Sequence, residues 1–515
     1  MRKSIYLSIV LISLIVMTLL IALYRYNSEA EESIFFVLYK HGNEYRVNYW
    51  YDESNDMYYV FLPAFADLRN ISIHTNGKHV NLGSNQYRRY SIVENIDLNT
   101  KYEFLIQDRN QEILTDSTIK FMQSSNIPAL FINTHTGTMD YIHADQEHRE
   151  SASMKLVNTD GTLDYAGRIQ HITGRGNTSW VEVKRGYGIN LLYDVDLLGM
   201  GEGTTWSLVA NYVDRSHIRN TLTFDLSRSV GLECTPNLRF VDLYLNNEFV
   251  GLYLLKERVE IAPNRIDINE SSIHDITGGY ILELIHDSRW EHDTRGFISS
   301  RELHMFLRRP RSVTNEQINY IANRWQALED ALHDEEDQYT WMQYIDVTSW
   351  AKHFIIDELT RNSDSPFTSK FFYKDLDSVD PLFYAGPIWD RDRTLGVVTI
   401  GRNNPARIPV GRYFMPHQAE SFWKPLLRKD YFFATKTSLW HDVFLPELEK
   451  IIESEIDRLA DEIYDAVQMN IIRWGHTEMG QREYLSLYPG FEQNIELLRT
   501  FLTLRVEFLN NEWGV

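Results

Sequence analysis

The spacing of apolar positions changes character along this chain. From 33 to 125 the runs are short and β-branched or aromatic, as in Arg46-Val-Asn-Tyr-Trp-Tyr51 and Tyr58-Tyr-Val-Phe-Leu62. Asn76-Gly77, between Ile71-Ser-Ile73 and Val80, is a type I′ hairpin signal. This spacing predicts a small all-β, sandwich-like accessory module over 33–125, with no catalytic cluster in it. Polar Gln123–Asn126 and Pro128 mark a boundary. Residues 129–260 continue mainly β, with one helix over Asp214–Val230, where Ile218, Leu222, Leu226 and Val230 keep a helical period and Gly231 stops it. Two strands, Phe240–Leu245 and Phe249–Leu255, are joined at Asn246-Asn247-Glu248 as a hairpin. From about 316 to 515 the period is mainly helical. Asp346 caps a helix over Val347–Leu359. Leu448, Ile451, Ile452, Ile456, Leu459 and Ile463 form one apolar stripe, and Glu496–Trp513 another.

The first 25 residues follow a different rule. Ile5–Tyr24 carries no charge and is long enough to span a bilayer as a helix. Arg2 and Lys3 precede it, and Glu29, Glu31 and Glu32 follow. The positive-inside rule then predicts a single-pass anchor over 1–25, with the N-terminus inside and the main domain extracytoplasmic. Cleavage and secretion is the alternative reading. The membrane is thus one expected partner, through this helix.

Composition narrows the chemistry. A net charge of −21 argues against nucleic acid as a partner, since a phosphate backbone would be repelled. Cys234 is the only cysteine, which excludes an intrachain disulfide and thiolate zinc sites. His143, Glu147 and His148 are crowded, but their spacing is not that of a zinc helix. No nucleophile elbow or Cys–His pairing points to acyl transfer.

Two strings carry more. Gly174-Arg-Gly-Asn-Thr-Ser-Trp180 sets glycines beside a strand, where backbone N–H groups can approach a phosphate, and Lys184-Arg185 follows as a charge clamp. No Gly-Lys-Ser/Thr follows, so it is not a Walker A loop. Further on, a helix pattern runs into Arg361-Asn-Ser-Asp364. A strand pattern, Lys370–Asp375, leads out, and a second ends at Trp389-Asp390-Arg-Asp392. Helix, loop aspartate, strand, strand, metal-type aspartate is the order of parts in a phosphoryl-transfer centre of the protein-kinase kind.

Together these strings resemble the CotH (spore coat protein H) family of atypical, protein-kinase-like secreted kinases. Gly174–Trp180 with Lys184-Arg185-Gly-Tyr187 is similar to one family element. Trp206-Ser-Leu-Val-Ala-Asn-Tyr-Val-Asp-Arg-Ser216 with Ile218-Arg-Asn220 is similar to a second. Val241–Asn246, Gly251–Leu255 with Glu257, Gly278–Glu283, and the aspartates at 364, 390 and 392 complete the set. The resemblance covers about 127–515. It implies an α+β chain whose kinase-like domain has a β-rich N-lobe and a helical C-lobe.

It also implies ATP and Mg2+ (or Mn2+) as cofactors, and transfer of the γ-phosphoryl to Ser/Thr hydroxyls of envelope or spore-coat proteins, or of the chain itself. By the same resemblance Lys184 contacts phosphate, with Arg185 as its substitute. Arg175, Asn177, Arg185 and Glu257 line the nucleotide. Asp364 orients the acceptor hydroxyl as the catalytic residue, and Asp390 and Asp392 hold the metal. Asp225, on the 214–230 helix, stands where the lysine's acidic partner belongs. Ser365–Ser369 offers no Asn for a second metal, and Lys370 is there to neutralise phosphate. A non-catalytic pseudokinase scaffold for surface or coat assembly is the alternative.

Overall fold

The structure is a computed structural model. It describes residues 34–176, 178–291, 295–362, 368–397, 405–413, 422–475 and 490–514. Three sheets dominate it. The first holds β1 (Phe35–Lys40), β2 (Asn43–Val47), β3 (Tyr49–Asp52), β4 (Met57–Leu62), β5 (Ile71–Leu82), β6 (Asn85–Val93), β7 (Lys101–Gln107) and β8 (Ile113–Gln123). Their order is β2-β1-β5-β7-β8-β4-β3, with β6 on β5. This single eight-stranded sheet replaces the expected sandwich. Asn76-Gly77 is not a hairpin. Both residues have positive φ, 48° and 83°, and they form an irregularity inside β5. Before it β5 pairs with β1, and after it with β7, so the kink lets one strand serve two neighbours.

The second sheet closes on itself. It comprises β9 (Ala129–Thr134), β10 (Arg149–Val157), β11 (Leu163–Arg175), β12 (Gly186–Asp196), β13 (Glu202–Val209), β14 (Leu238–Leu245) and β15 (Glu248–Glu257), in the cyclic order β10-β11-β12-β13-β15-β14-β9. Parallel pairing of β9 with β14, from Asp242↔Ala129 to Leu245↔Ile132, seals it. The hairpin at Asn246-Asn247 is present, with both residues left-handed. Side chains alternate across the wall. On β15, Tyr253 and Leu255 fill the barrel, while Leu252 and Leu254 join a larger core outside it. The first sheet packs against the barrel through Phe61, Phe131, Tyr244 and Phe249.

The third sheet has β16 (Tyr280–Leu284), β17 (Gly296–Ile298), β18 (His304–Arg309), β19 (Lys370–Lys374) and β20 (Tyr384–Ala385), ordered β17-β18-β16-β19-β20. It draws three strands from the stretch before 316, and its β19 falls on the strand expected over Lys370–Asp375. Helices Asn315–His333 and Val347–Thr360 pack on one face through Trp325, Trp350 and Phe372, with ring centroids 5.0–6.3 Å apart. The first helix carries a Thr314/Gln317 capping box, and Asp346 caps the second by accepting the Ser349 N–H at 2.6 Å. Helical structure then runs through Asp430–Trp474, with π turns at Trp440–Phe444 and Ile451–Glu455, and over Phe491–Trp513.

Two expectations are corrected. A closed barrel and an inserted five-stranded sheet replace the kinase-like arrangement of a β-rich lobe on a helical lobe. Long-range pairings such as β9 with β14 and β16 with β19 decide this, and no local pattern encodes them. The predicted anchor, Ile5–Tyr24, lies outside the described residues. Among the described residues no helix is long and apolar enough to cross a membrane, so the single-pass topology and the localisation drawn from it are withdrawn.

Candidate active site

The site forms where the ends of β11 and β15 meet the loop after β20. Asp390 has φ +45°, a left-handed conformation that an aspartate tolerates better than most residues. Such strain persists only where surroundings enforce it, and here they do. The loop is tied from three sides. Asn220 Oδ1 accepts the Arg391 N–H at 2.9 Å, and Asn220 is itself held by Asn211 at 2.9 Å. Arg219, paired to Asp214 at 2.5 Å, reaches the Leu395 carbonyl at 3.4 Å. Asn362, two positions before Asp364 in the chain, donates to the Asp390 carbonyl at 3.5 Å. The string Trp206–Asn220 is therefore a brace for the aspartate loop rather than part of the chemistry.

A buried ion cluster adds a further tie. Asp357 accepts Lys370 Nζ at 2.7 Å and Arg391 Nη1 at 2.6 Å, with His353 Nδ1 at 3.2 Å. All four residues are buried. Burial alone would raise the Asp357 carboxyl. Lys370, His353 and Arg391 outweigh it and hold the group well below the usual carboxylate range. Lys370 is thus engaged by Asp357, and not placed as the phosphate-neutralising residue the sequence reading made it.

Around the loop the charges converge. Arg175, last residue of β11, places Nη2 3.6 Å from Asp390 Oδ1. Lys256 Nζ lies 3.5 Å from the Trp389 ring centroid and 4.9 Å from that of Phe224. Burial pushes the Lys256 amine down to about 7, against the pull of Asp390. Asp392 also favours its charge, while Arg175 and Arg391 oppose it. An amine so poised recovers its proton when a phosphate arrives. Affinity for a phosphate-bearing ligand is accordingly expected to be highest below pH 7 and to fall as pH rises above it, by about one proton's worth per unit. Titration calorimetry from pH 6 to 9 checks this; a flat profile contradicts the assignment.

The other sequence candidates lie elsewhere or outside view. Lys184 is fully buried and donates to Ala210 O at 2.8 Å and Leu252 O at 2.5 Å, with Asp242 as its acidic neighbour. Arg185 turns to the His143 carbonyl at 3.0 Å and stacks on Trp180. Glu257 faces the barrel interior, where it accepts the Asn237 N–H at 2.5 Å and meets Arg265 at 3.5 Å. Asp225 pairs with Arg228 on its own helix. Asn177 and Asp364 lie outside the described residues. Sequence reading missed Lys256, although parity held the signal: Leu252, Leu254 and Lys256 share the outer face of β15, and Glu257 falls on the inner one.

Among the described residues no group of three or more His, Cys, Asp or Glu is placed to hold a metal ion. His143 Nε2 meets the Tyr187 hydroxyl at 2.8 Å and His148 Nδ1 the Tyr141 carbonyl at 2.7 Å. Asp390, its side chain 41% exposed, and half-buried Asp392 suit a hard cation that takes one or two carboxylates and fills its shell with phosphate oxygens and water. A cavity of about 250 Å³ lined by Tyr45, Phe131, Lys155 and Arg168 opens at the seam of the first sheet and the barrel, away from these groups.

Arg175 and Lys256 thus stand as a pair of cations beside the aspartate loop. Residues 172–509 match the model of the CotH kinase protein family, well over half of the chain, and the protein belongs to that family. Membership carries with it, in general terms, the use of a nucleotide and a metal. A search of the curated proteins finds no match.

Proposed function

We propose that the protein is a kinase that uses ATP with Mg2+ or Mn2+ and transfers the γ-phosphoryl to Ser or Thr hydroxyls of a protein acceptor. The observation that carries this reading is the convergence of Arg175, Lys256 and Asp390 around Trp389. Phosphoryl transfer needs positioning and charge neutralisation more than covalent help. Arg175 and Lys256 would hold phosphate oxygens by charge-assisted hydrogen bonds. Asp390 and Asp392 would hold the cation, which would supply charge neutralisation at the phosphates. Trp389 fixes the Lys256 amine and keeps water from it, which strengthens its field on the phosphates. The Asp357 cluster keeps the aspartate loop in place during turnover. Asp364 would orient the acceptor hydroxyl and take its proton.

The aspartates are expected to fail differently. Asp390→Asn removes a full charge from the cation's ligands and weakens metal-dependent nucleotide binding. Asp364→Asn leaves nucleotide affinity near wild type and lowers turnover by about 10²–10⁴, the usual worth of a general base. Incubating the protein with γ-labelled ATP, metal and protein acceptors tests the function. No labelled product over a range of metals, with nucleotide still bound, would turn the reading to a nucleotide-binding scaffold. No nucleotide binding would remove the site altogether.

A further inference from the structure

Lys256 reaches the site because β15 changes parity partway along. Phe249 stands opposite Tyr244 and turns outward to the first sheet. Unbroken alternation would send Gly251, Tyr253, Leu255 and Glu257 outward with it. Tyr253 and Leu255 fill the barrel instead, and Leu252 and Leu254 face out. The change falls at a bulge. The register slips between Tyr244↔Phe249 and Leu243↔Gly251, which leaves Val250 as the extra residue. Gly251 has φ +114°, in the region that favours glycine. One inserted residue thus decides whether Lys256 or Glu257 stands beside Trp389.

The bulge is gripped by one helix. Pairing of β13 with β15 ends at Val209↔Leu254, so the backbone of 249–252 needs other partners on that side. Side chains at i, i+3 and i+4 near the end of helix Ile456–Trp474 supply them. Buried Asn470 accepts the Leu252 N–H on Oδ1 at 3.2 Å. Arg473 Nε donates to the Phe249 carbonyl at 3.3 Å, and Trp474 Nε1 to the Val250 carbonyl at 2.9 Å. A Cβ on Gly251 would stand 2.5 Å from Asn470 Oδ1 and 3.0 Å from Trp474 Nε1, so the helix closes directly on the bulge. The first sheet seats the helix in turn. Met469 lies in that sheet's core, and the Arg473 guanidinium lies 5.0 Å from the Trp50 ring centroid. Ser125 Oγ donates to Asp465 at 2.6 Å.

We propose that Asn470, with Arg473 and Trp474, is a positioning device for the site: by holding the bulge it selects the register that presents Lys256 and withholds Glu257. The use made of Lys256 rests on the kinase reading, and the register does not. Without Asn470 the Leu252 N–H is left buried and unpaired, and the bulge loses its advantage over plain pairing. The first sheet then belongs to the machinery of the site, since it seats the helix that makes the choice.

Competitive acetylation of the whole chain from pH 6 to 10, read by peptide mass spectrometry, follows the Lys256 amine without nucleotide. In wild type it should titrate near pH 7. Asn470→Ala breaks the grip from the helix, and Gly251→Ala breaks it from the strand. In each the Lys256 midpoint should move by about one pH unit or more, because the surroundings that set it are exchanged. Trp474→Phe keeps the ring and loses only the donation to Val250. Its midpoint should move in the same sense, and it decides the matter if the other two chains do not fold. Ile321→Val, on the helix that packs on the third sheet, should lower the urea midpoint and leave the Lys256 titration as it is. ATP affinity with metal, measured separately, should fall about tenfold or more in the three bulge variants, the scale of one charged hydrogen bond. An unmoved Lys256 midpoint in the folded bulge variants overturns the proposal, whatever stability they lose. An equal shift in Ile321→Val overturns it too. A midpoint that moves as expected, in a chain that binds no ATP with any metal, sinks the kinase reading alone.

Discussion

Lys256→Met is expected to abolish nucleotide binding and phosphoryl transfer while leaving the chain as stable as wild type, or more stable. The two outcomes have one cause. The amine is buried against Trp389 and Phe224, and burial has pushed it down to about 7. A methionine fills the same volume without that desolvation cost. Stability at neutral pH therefore does not suffer. The stability of wild type should itself fall as pH drops from about 10 towards 7, since the unfolded lysine binds a proton there that the folded one resists. Binding and turnover lose the cation aimed at phosphate. Loss of one preorganised donor to a developing charge is worth about 10²–10³ in rate. Thermal melts with and without ATP–metal separate the effects: the unliganded midpoint holds or rises, and the nucleotide-dependent shift disappears. Lys184→Met should do the reverse. It empties the donations to Ala210 and Leu252 and affects folding, while the nucleotide shift stays.

Asp357→Asn should be the most damaging single change for the fold near the site. It leaves Lys370 and Arg391 as buried cations without their carboxylate. Breaking a buried pair in this way costs about 3–5 kcal/mol. Urea unfolding should show a lower midpoint with an unchanged slope. The wild type should lose the same contribution in acid. The folded carboxyl lies well below its ordinary value near 3.8, so its stabilisation is complete above that value and is lost as pH falls towards the folded pKa. Activity should fall beyond what stability explains, since Arg391 sits between Asp390 and Asp392. An Asp357→Asn chain with wild-type stability would show that the cluster carries no structural weight.

How much of this was legible follows from the range of each signal. Asp346, Asn246-Asn247 and the stripe from Leu448 to Ile463 act within a few residues, and sequence reads them directly. The Arg175 and Asp390 strings stood out in the sequence as glycines beside a strand and a D-x-D pair, and the structure sets Arg175 3.6 Å from Asp390. The lysine did not stand out. Lys184 follows the glycine string, but its amine is taken up by the Ala210 and Leu252 carbonyls. Lys256, further on in the chain, arrives because β15 pairs with β13 and points alternate residues outward. The barrel itself depends on β9 meeting β14, and the third sheet on β16 meeting β19, pairings that no window of sequence contains. The string at Trp206–Asn220 was visible, but its role as a brace appears only with Leu395 and Arg391 opposite it.

The most direct test of the site is chemical. An acyl-phosphate derivative of ATP transfers its acyl group to the lysine amine nearest the phosphates, and peptide mass spectrometry identifies that lysine. The account predicts labelling of Lys256, suppressed by excess ATP with metal and reduced in Asp390→Asn. Labelling of Lys184 in place of Lys256, or labelling that excess ATP does not suppress, would contradict it.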